Sequence, residues 1–237
     1  MASTSHYERA LAHEQQGEFA QALALYQACL AYKTNDPGDL LFKCGWCLEH
    51  EHRVNNPTRL EALAYYTQAA EVSRTPATTL NSLFRAGWVL MQEQRWLEVA
   101  QFLRKAIAEA ELRELRDAFY AHAVYWYAVC LETQGRFIEA IEWYRLTQAI
   151  APVLQPESCF REILCWEQIG SYHEALHLCS AFHPNPPADF DAELYEELVS
   201  IVRRKKEILE ACLNQSFSPS HKNSLPYTFI SHFETHT

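Results

Sequence analysis

The chain has 237 residues, 49% of them apolar. It contains 20 Lys and Arg and 30 Asp and Glu, which gives a net charge of −10. This apolar share excludes a disordered chain, because disorder goes with a low apolar content. The acidic balance argues against DNA, RNA or an anionic membrane surface as the main partner, since binding to phosphates depends on Lys and Arg.

The first residues and the cysteines indicate the compartment. Residues 1–9 lack the basic start and apolar stretch of a secretory signal peptide, and no window approaches the ~18 uninterrupted apolar residues of a spanning helix. The eight cysteines lie in a long chain, mostly inside helical patterns, and are expected to be reduced thiols. We predict a soluble, cytoplasmic protein.

A ten-residue pattern recurs along the chain. An aromatic residue lies two positions after a Gly, an Ala five positions after it, and an aromatic residue or Cys nine positions after it. Clear copies occupy residues 17–26, 135–144 and 170–179, and weaker ones contain Ala62 and Tyr66, and Trp96, Val99 and Leu103. Each follows a helical stretch in which a small residue would allow two helices to approach closely. These residues are Ala10, Gly45, Gly87 and Ala128, with Ile163 as the exception.

This alternation of small and large residues resembles the tetratricopeptide repeat, a helix-turn-helix unit of ~34 residues. The resemblance implies an all-α, right-handed superhelical solenoid with five repeats between residues 3 and 187. Their expected bounds are about 3–37, 38–76, 80–112, 118–153 and 156–187.

The spacing of the repeats is uneven. Tyr7, Phe42, Phe84, Tyr125 and Phe160 are equivalent, and subtracting their numbers gives steps of 35, 42, 41 and 35. The second step contains a polar turn at 52–58. The third contains 111–117, where helix-forming residues and the four-residue spacing of Arg113 and Asp117 predict a helix extended by about two turns. The superhelix is therefore expected to be distorted at its middle.

Beyond the repeats, residues 188–214 are predicted to form a capping helix, apolar on one side and polar on the other. Its apolar side is expected to comprise Leu194, Leu198, Ile201, Ile208 and Cys212. Residues 215–237 have no helical period and are predicted to be a flexible tail. Its apolar residues could fill the groove of the same or a neighbouring chain; these are Leu225, Tyr227, Phe229 and Phe233.

The resemblance also implies a binding groove, because first helices line the concave surface in this family. The matching residues have an aromatic floor and an acidic margin, which suits a protein segment with apolar anchors flanked by Lys or Arg. They are Tyr7, Phe42, Trp46, Glu49, Phe84, Trp88, Tyr125, Glu132, Phe160 and Glu167, with Glu14 at the corresponding place in the first repeat. Large aromatic residues such as Trp46 and Trp88 are usual anchors of binding surfaces.

Two other interpretations of these residues stay open. Aromatic residues at helical spacing also serve packing, and glutamates also form an ordinary solvated face. One mode of the family is disfavoured: co-chaperones of the family hold acidic C-termini with Lys, Asn and Arg, and the matching positions here are aromatic, aliphatic and acidic.

Two short motifs resemble metal or redox sites. His173-Glu174-Ala175-Leu176-His177 matches the zinc-hydrolase pattern H-E-x-x-H, with Glu193, Glu196 or Glu197 as possible third ligands. Cys44 and Cys47 have C-x-x-C spacing, followed by His50. Both motifs lie within repeat helices, and no strand is evident to hold a substrate or present a thiolate. We expect no metal and no cofactor at either place.

The glycine-rich motifs of nucleotide-binding loops and nucleophile elbows are absent from the sequence, which has only six Gly. We therefore predict a non-enzymatic scaffold or adaptor for protein–protein interaction. An assembly chaperone and a self-associating module are alternatives. A metal-dependent hydrolase or a redox or metal sensor is less favoured.

Overall fold

The structure is a computed structural model that describes residues 2–32, 36–51, 59–182 and 190–214. Within these ranges lie eleven α-helices and a short 3₁₀ turn at Pro152–Leu154. The helices are α1 (Ala2–Gln15), α2 (Phe19–Leu30), α3 (Pro37–His50), α4 (Arg59–Val72), α5 (Pro76–Gln92), α6 (Trp96–Leu112), α7 (Ala118–Thr133), α8 (Phe137–Ile150), α9 (Gln155–Ile169), α10 (Tyr172–Ala181) and α11 (Ala192–Asn214). The fold is all-α, and the predicted tail and the turn at 52–58 lie outside the described residues.

Turn residues set where the helices begin and end. The side chains of Asp36 and Asp117 accept hydrogen bonds from backbone N–H groups in the first turns of α3 and α7. Gly17, Gly135 and Gly170 close first helices with φ of 74°, 74° and 85°, a left-handed conformation that glycine adopts without strain. The third pair has Gln94 at this place, with φ of 56°. Because this turn geometry recurs along the chain, the spacing of the glycines indicated the repeats.

Small residues let the two helices of a pair approach. A Cβ added to Gly45 of α3 would lie 2.9 Å from ring carbons of Tyr66 on α4, which is closer than packing allows. Ala128 and Ala140 are fully buried between α7 and α8. In the fifth pair, Ile163 is also fully buried and shares a cluster with Ala175 of α10, so the larger residue is accommodated.

Consecutive helices pack in chain order from α1 to α11, which is the arrangement of a solenoid. First helices also contact each other, α3 with α5 and α5 with α7, and the last helix, α11, contacts α9 in the same way. The largest core cluster runs from Leu80 to Cys165 and includes most of α7, twelve residues of which are buried. The apolar core is therefore thickest at α7.

The predicted extension over residues 111–117 is wrong. Helix α6 ends at Leu112, because Glu114 adopts a φ of 56° and Asp117 caps α7. Arg113 pairs with Glu109, at 2.5 Å, rather than with Asp117. The long third step instead reflects α6, which has 17 residues, whereas α2 has 12 and α8 has 14.

The apolar face predicted for the last helix is also partly wrong. The residues that α11 buries are Tyr195, Leu198, Val202, Lys205 and Leu209. Of the expected set only Leu198 is among them; Ile208 is 46% exposed and Cys212 is exposed. The buried face includes Lys205 because its ammonium group is paired with Glu167 of α9.

No helix in the described ranges is both long enough and apolar enough to span a lipid bilayer.

Candidate functional site: the concave surface

The predicted groove residues lie on the first helices of the five pairs, which are α1, α3, α5, α7 and α9. Tyr7, Phe42, Phe84 and Phe160 are half-buried, as are Trp46 and Trp88, whereas Tyr125 is 1% exposed. Tyr125 therefore contributes to the core, and the rings that remain available to a ligand lie mainly on α3 and α5.

The predicted acidic residues take part in a repeated three-residue contact. A Glu near the end of a first helix accepts a hydrogen bond from a Tyr of the second helix, and pairs with a Lys or Arg of the next first helix. Glu14 binds the Tyr26 hydroxyl at 2.5 Å and Lys43 Nζ at 2.8 Å. Glu49 binds the Tyr66 hydroxyl at 2.7 Å and Arg85 Nη2 at 2.6 Å.

The same contact recurs in the second half of the chain. Glu132 binds the Tyr144 hydroxyl at 2.5 Å and Arg161 Nη1 at 3.2 Å. Glu167 pairs with Lys205 Nζ at 2.7 Å, and Cys179 stands at the place of the Tyr. We call these the Glu–Tyr–cation contacts. Each joins a repeat to its neighbour, so the four carboxylates are neutralised by the chain's own cations.

The middle repeat replaces the whole contact with apolar residues. Met91 stands at the place of the Glu, Leu103 at that of the Tyr and Trp126 at that of the cation, and all three belong to one buried cluster. A Glu or Arg alone at this place would be a buried, unpaired charge, which is costly. The three positions therefore change together within one chain.

A second polar contact is present in the first and fourth repeats and missing from the second, third and fifth. The Tyr7 hydroxyl donates to Asp39 at 3.2 Å, and the Tyr125 hydroxyl donates to Glu157 while accepting from Arg161 Nε at 2.9 Å. Phe42, Phe84 and Phe160 occupy the equivalent places and have no hydroxyl to donate. The positions equivalent to the acceptors Asp39 and Glu157 are held by Asn81 on α5 and His122 on α7.

Burial raises the pKa of the Tyr66, Tyr125 and Tyr144 hydroxyls well above the ordinary value of 10. These hydroxyls therefore remain neutral and keep donating to their carboxylates at physiological pH.

We use the name central aromatic patch for five rings on the neighbouring helices α3, α5 and the start of α7: Phe42, Trp46, Phe84, Trp88 and Phe119. Phe42 and Trp46 are stacked at 6.4 Å between ring centroids, and Phe84 meets Phe119 edge-on at 6.0 Å. Phe119 is 40% exposed and was not among the predicted residues. It lies six residues before Tyr125, at a position that the repeat pattern does not include, so the sequence did not single it out.

The two predicted tryptophans are held in place by neighbouring side chains. The Trp46 ring stacks on His50 at 3.8 Å and carries the Arg85 guanidinium 4.8 Å from its centroid. Trp88 meets the buried Trp126 edge-on at 5.9 Å. Since both rings are half-buried, each is fixed in place before any ligand arrives, which lowers the entropy cost of binding.

The H-E-x-x-H residues lie on α10. His173, Glu174 and His177 are exposed, and they line a shallow pocket of about 300 Å³ with Arg145, Trp166 and Leu178. Across the described ranges, no three His, Cys, Asp or Glu side chains are placed to hold a metal ion, and Glu193, Glu196 and Glu197 are exposed on α11.

The C-x-x-C residues lie in the middle of α3. Cys44 and Cys47 are buried free thiols, and burial raises the pKa of each to about 12. The thiol form is therefore favoured at neutral pH, and a thiolate nucleophile or metal ligand is disfavoured. His50 donates to the Trp46 carbonyl oxygen at 2.9 Å and lies against the ring of Trp46.

The stacked helix pairs, the glycine-closed turns and the contacts between successive first helices define a helical-repeat solenoid, a class whose preformed surface suits it to protein–protein interaction. The family model described as tetratricopeptide repeat matches residues 1–50 and 101–153. Over these two regions, 103 of its 237 residues, the chain is made of tetratricopeptide repeats.

Solved structures share this fold at low sequence identity. A crystal structure of MamA is 17% identical, with a TM-score of 0.59, over 92% of this chain and 98% of the other. The apo form of RapI is 11% identical, with a TM-score of 0.62, over 92% and 78%. A putative kinesin light chain with TPR-like repeats from Podosopora anserina is 15% identical, with a TM-score of 0.55, over 86% and 96%. No curated protein sequence matches the chain significantly.

Proposed function

We propose that the chain is a non-enzymatic scaffold or adaptor that holds a segment of a partner protein on its concave surface. The site comprises the predicted groove residues other than the buried Tyr125, and its apolar contacts are concentrated in the central aromatic patch.

The observation that carries this proposal is the difference between the rings of α3 and α5 and the tyrosines at the equivalent places of α1 and α7. Tyr7 and Tyr125 are hydrogen-bonded to carboxylates of the next repeat, whereas Phe42 and Phe84 present rings without such partners. Half-buried rings that are already positioned gain most from a ligand that removes their remaining surface from water. The patch is thus the part of the surface with most to gain from a partner.

The partner segment is expected to supply apolar side chains to the patch. A Lys or Arg flanking them would have to compete with Lys43, Arg85, Arg161 or Lys205 for the four glutamates. A basic flank would therefore be attracted mainly by the net charge of −10. A reducing compartment such as the cytoplasm fits the eight free cysteines, seven of them buried.

The test begins by placing a photoreactive benzoylphenylalanine at Phe84, so that irradiation traps what lies against the patch in a native extract. The trapped protein is identified by mass spectrometry, expressed, and titrated by calorimetry against Trp46→Ala/Trp88→Ala. We expect binding at least ~10-fold weaker, with helicity near that of the wild type, because two preformed anchors are lost.

The matched control is Trp96→Ala/Trp143→Ala, which removes two half-buried indoles from the second helices α6 and α8. If both double variants bind alike, the patch is packing and not a site. Unfolding of Trp46→Ala/Trp88→Ala would assign those rings to the core and contradict the proposal.

A further inference from the structure

The last helix, α11, stands where the first helix of a sixth repeat would stand. It contacts α9 and α10, as each first helix contacts the pair before it. Its Lys205 pairs with Glu167 at 2.7 Å, just as Lys43, Arg85 and Arg161 pair with Glu14, Glu49 and Glu132. We therefore align α11 with the first helices by placing Lys205 at the position of Lys43, Arg85 and Arg161.

In this register, three residues of α11 occupy groove positions. The residue before each cation is a groove aromatic in α3, α5 and α9, and on α11 it is Arg204. The residue three after the cation is Trp46 or Trp88 in α3 and α5, and on α11 it is Ile208. The residue four before the cation is Asp39 in α3 and Asn81 in α5, and on α11 it is Ile201. Residues 201, 204 and 208 share one helix face.

This face is open. Ile208 is 46% exposed, Arg204 is exposed and Ile201 is half-buried. In the described part of the chain neither Arg203 nor Arg204 makes an ion pair, although the chain as a whole is acidic. Glu207 stands in register with Gly45 and Gly87, so a further helix of the chain could not approach as closely there as α4 approaches α3.

We propose that Ile201, Arg204 and Ile208 extend the binding surface onto α11 and receive an acidic part of the partner segment. A side-chain carboxylate of the partner would pair with the Arg204 guanidinium, which suits bidentate carboxylate binding, while apolar neighbours cover the two isoleucines. This inference rests on the proposed function and adds the direction in which the partner segment lies along the surface. The apolar part of the ligand lies on the central aromatic patch, and its acidic part lies on α11.

The test uses two fluorescein-labelled peptides with the same Leu and Phe residues, followed by a run of glutamates in one and of lysines in the other. Both are amidated at the C-terminus, so that only side chains supply charge. Fluorescence anisotropy measures their affinity for the full chain. We expect the glutamate peptide to bind wild type at least ~10-fold more tightly than Arg204→Glu, and the lysine peptide to show the opposite preference.

Arg104→Glu is the matched control. Arg104 is exposed on α6, a second helix, so the substitution makes the same charge change away from the concave surface. It should leave the difference between the peptides near that of wild type. Ile208→Ser should weaken both peptides, because it removes the apolar contact that they share.

Equal effects of Arg204→Glu and Arg104→Glu would overturn the inference, as would failure of the glutamate peptide to bind wild type. The Trp46→Ala/Trp88→Ala variant separates this failure from failure of the proposed function. If the glutamate peptide is weakened by the tryptophan variant and not by Arg204→Glu, the groove stands and the α11 site is wrong. If only Arg204→Glu weakens it, the α11 site stands and the aromatic patch is wrong.

Discussion

Arg161 of α9 reaches Glu132 of α7 at 3.2 Å, with 10% and 5% of the two side chains exposed. The same guanidinium donates from Nε to the Tyr125 hydroxyl at 2.9 Å, and Tyr125 donates in turn to Glu157. The two repeats are therefore joined by a buried polar network in which these groups are mutually bonded. Such a network stabilises one arrangement of the repeats, because removal of Arg161 leaves the buried Glu132 without its cation.

Arg161→Met should lower the free energy of unfolding by about 3–5 kcal/mol, since Glu132 stays buried without its cation. Urea denaturation followed by circular dichroism measures this. The control is Arg95→Met, which breaks the exposed pair of Arg95 with Glu98 and should cost less than about 1 kcal/mol. Similar losses in both variants would show that the buried network adds no more than a surface pair.

Met91→Glu should destabilise the middle repeat, because it buries a carboxylate among apolar residues. The triple variant Met91→Glu/Leu103→Tyr/Trp126→Arg installs the contact that the other repeats use, and it should recover part of the loss. Chemical denaturation of the single, double and triple variants measures the coupling, which we expect to be at least about 1 kcal/mol. Additive losses would mean that the three positions do not act together.

Gln94→Gly should stabilise the protein by up to about 1 kcal/mol. Gln94 has a φ of 56°, a left-handed conformation that costs a residue with a Cβ roughly 1–2 kcal/mol, and the greater flexibility of unfolded glycine offsets only part of this. Thermal unfolding measures the gain. Gln92→Gly is the control within the same segment: Gln92 is helical, so glycine there should destabilise by roughly 0.5–1 kcal/mol. Two changes of the same sign would contradict the role given to Gln94.

Stability should fall steeply above about pH 10. Burial raises the pKa of Tyr66, Tyr125 and Tyr144 in the folded chain, so these hydroxyls stay protonated while those of the unfolded chain ionise near 10. Their contribution is therefore complete below pH 10, and each loses about 1.4 kcal/mol per pH unit above it. Urea denaturation at several pH values from 8 to 11 measures how the free energy of unfolding falls with pH. Tyr144→Phe should make the fall in stability with pH shallower. An unchanged slope in this variant would show that Tyr144 does not contribute to it.

The repeat pattern was sufficient to predict the all-α solenoid and the close contacts at Ala10, Gly45 and Ala128. These features are local: a left-handed turn needs Gly17 or Gly135, and a tight helix pair needs a small residue opposite a large one. Periodicity therefore reports them directly. The helix end near residue 112 is equally local, but it depended on one φ at Glu114 and on a cap at Asp117, which competed with a run of good helix formers.

The partners of the glutamates could not be predicted from helical periodicity. Glu14 and Lys43, Glu49 and Arg85, and Glu167 and Lys205 are 29, 36 and 38 residues apart. They meet only because successive first helices stack side by side. The buried face of α11 depends on the same stacking, since Lys205 can be buried only where Glu167 is already in place. The sequence thus determines the helix pairs through local geometry, whereas the charge presented by the concave surface is decided by which side chains the superhelix brings together.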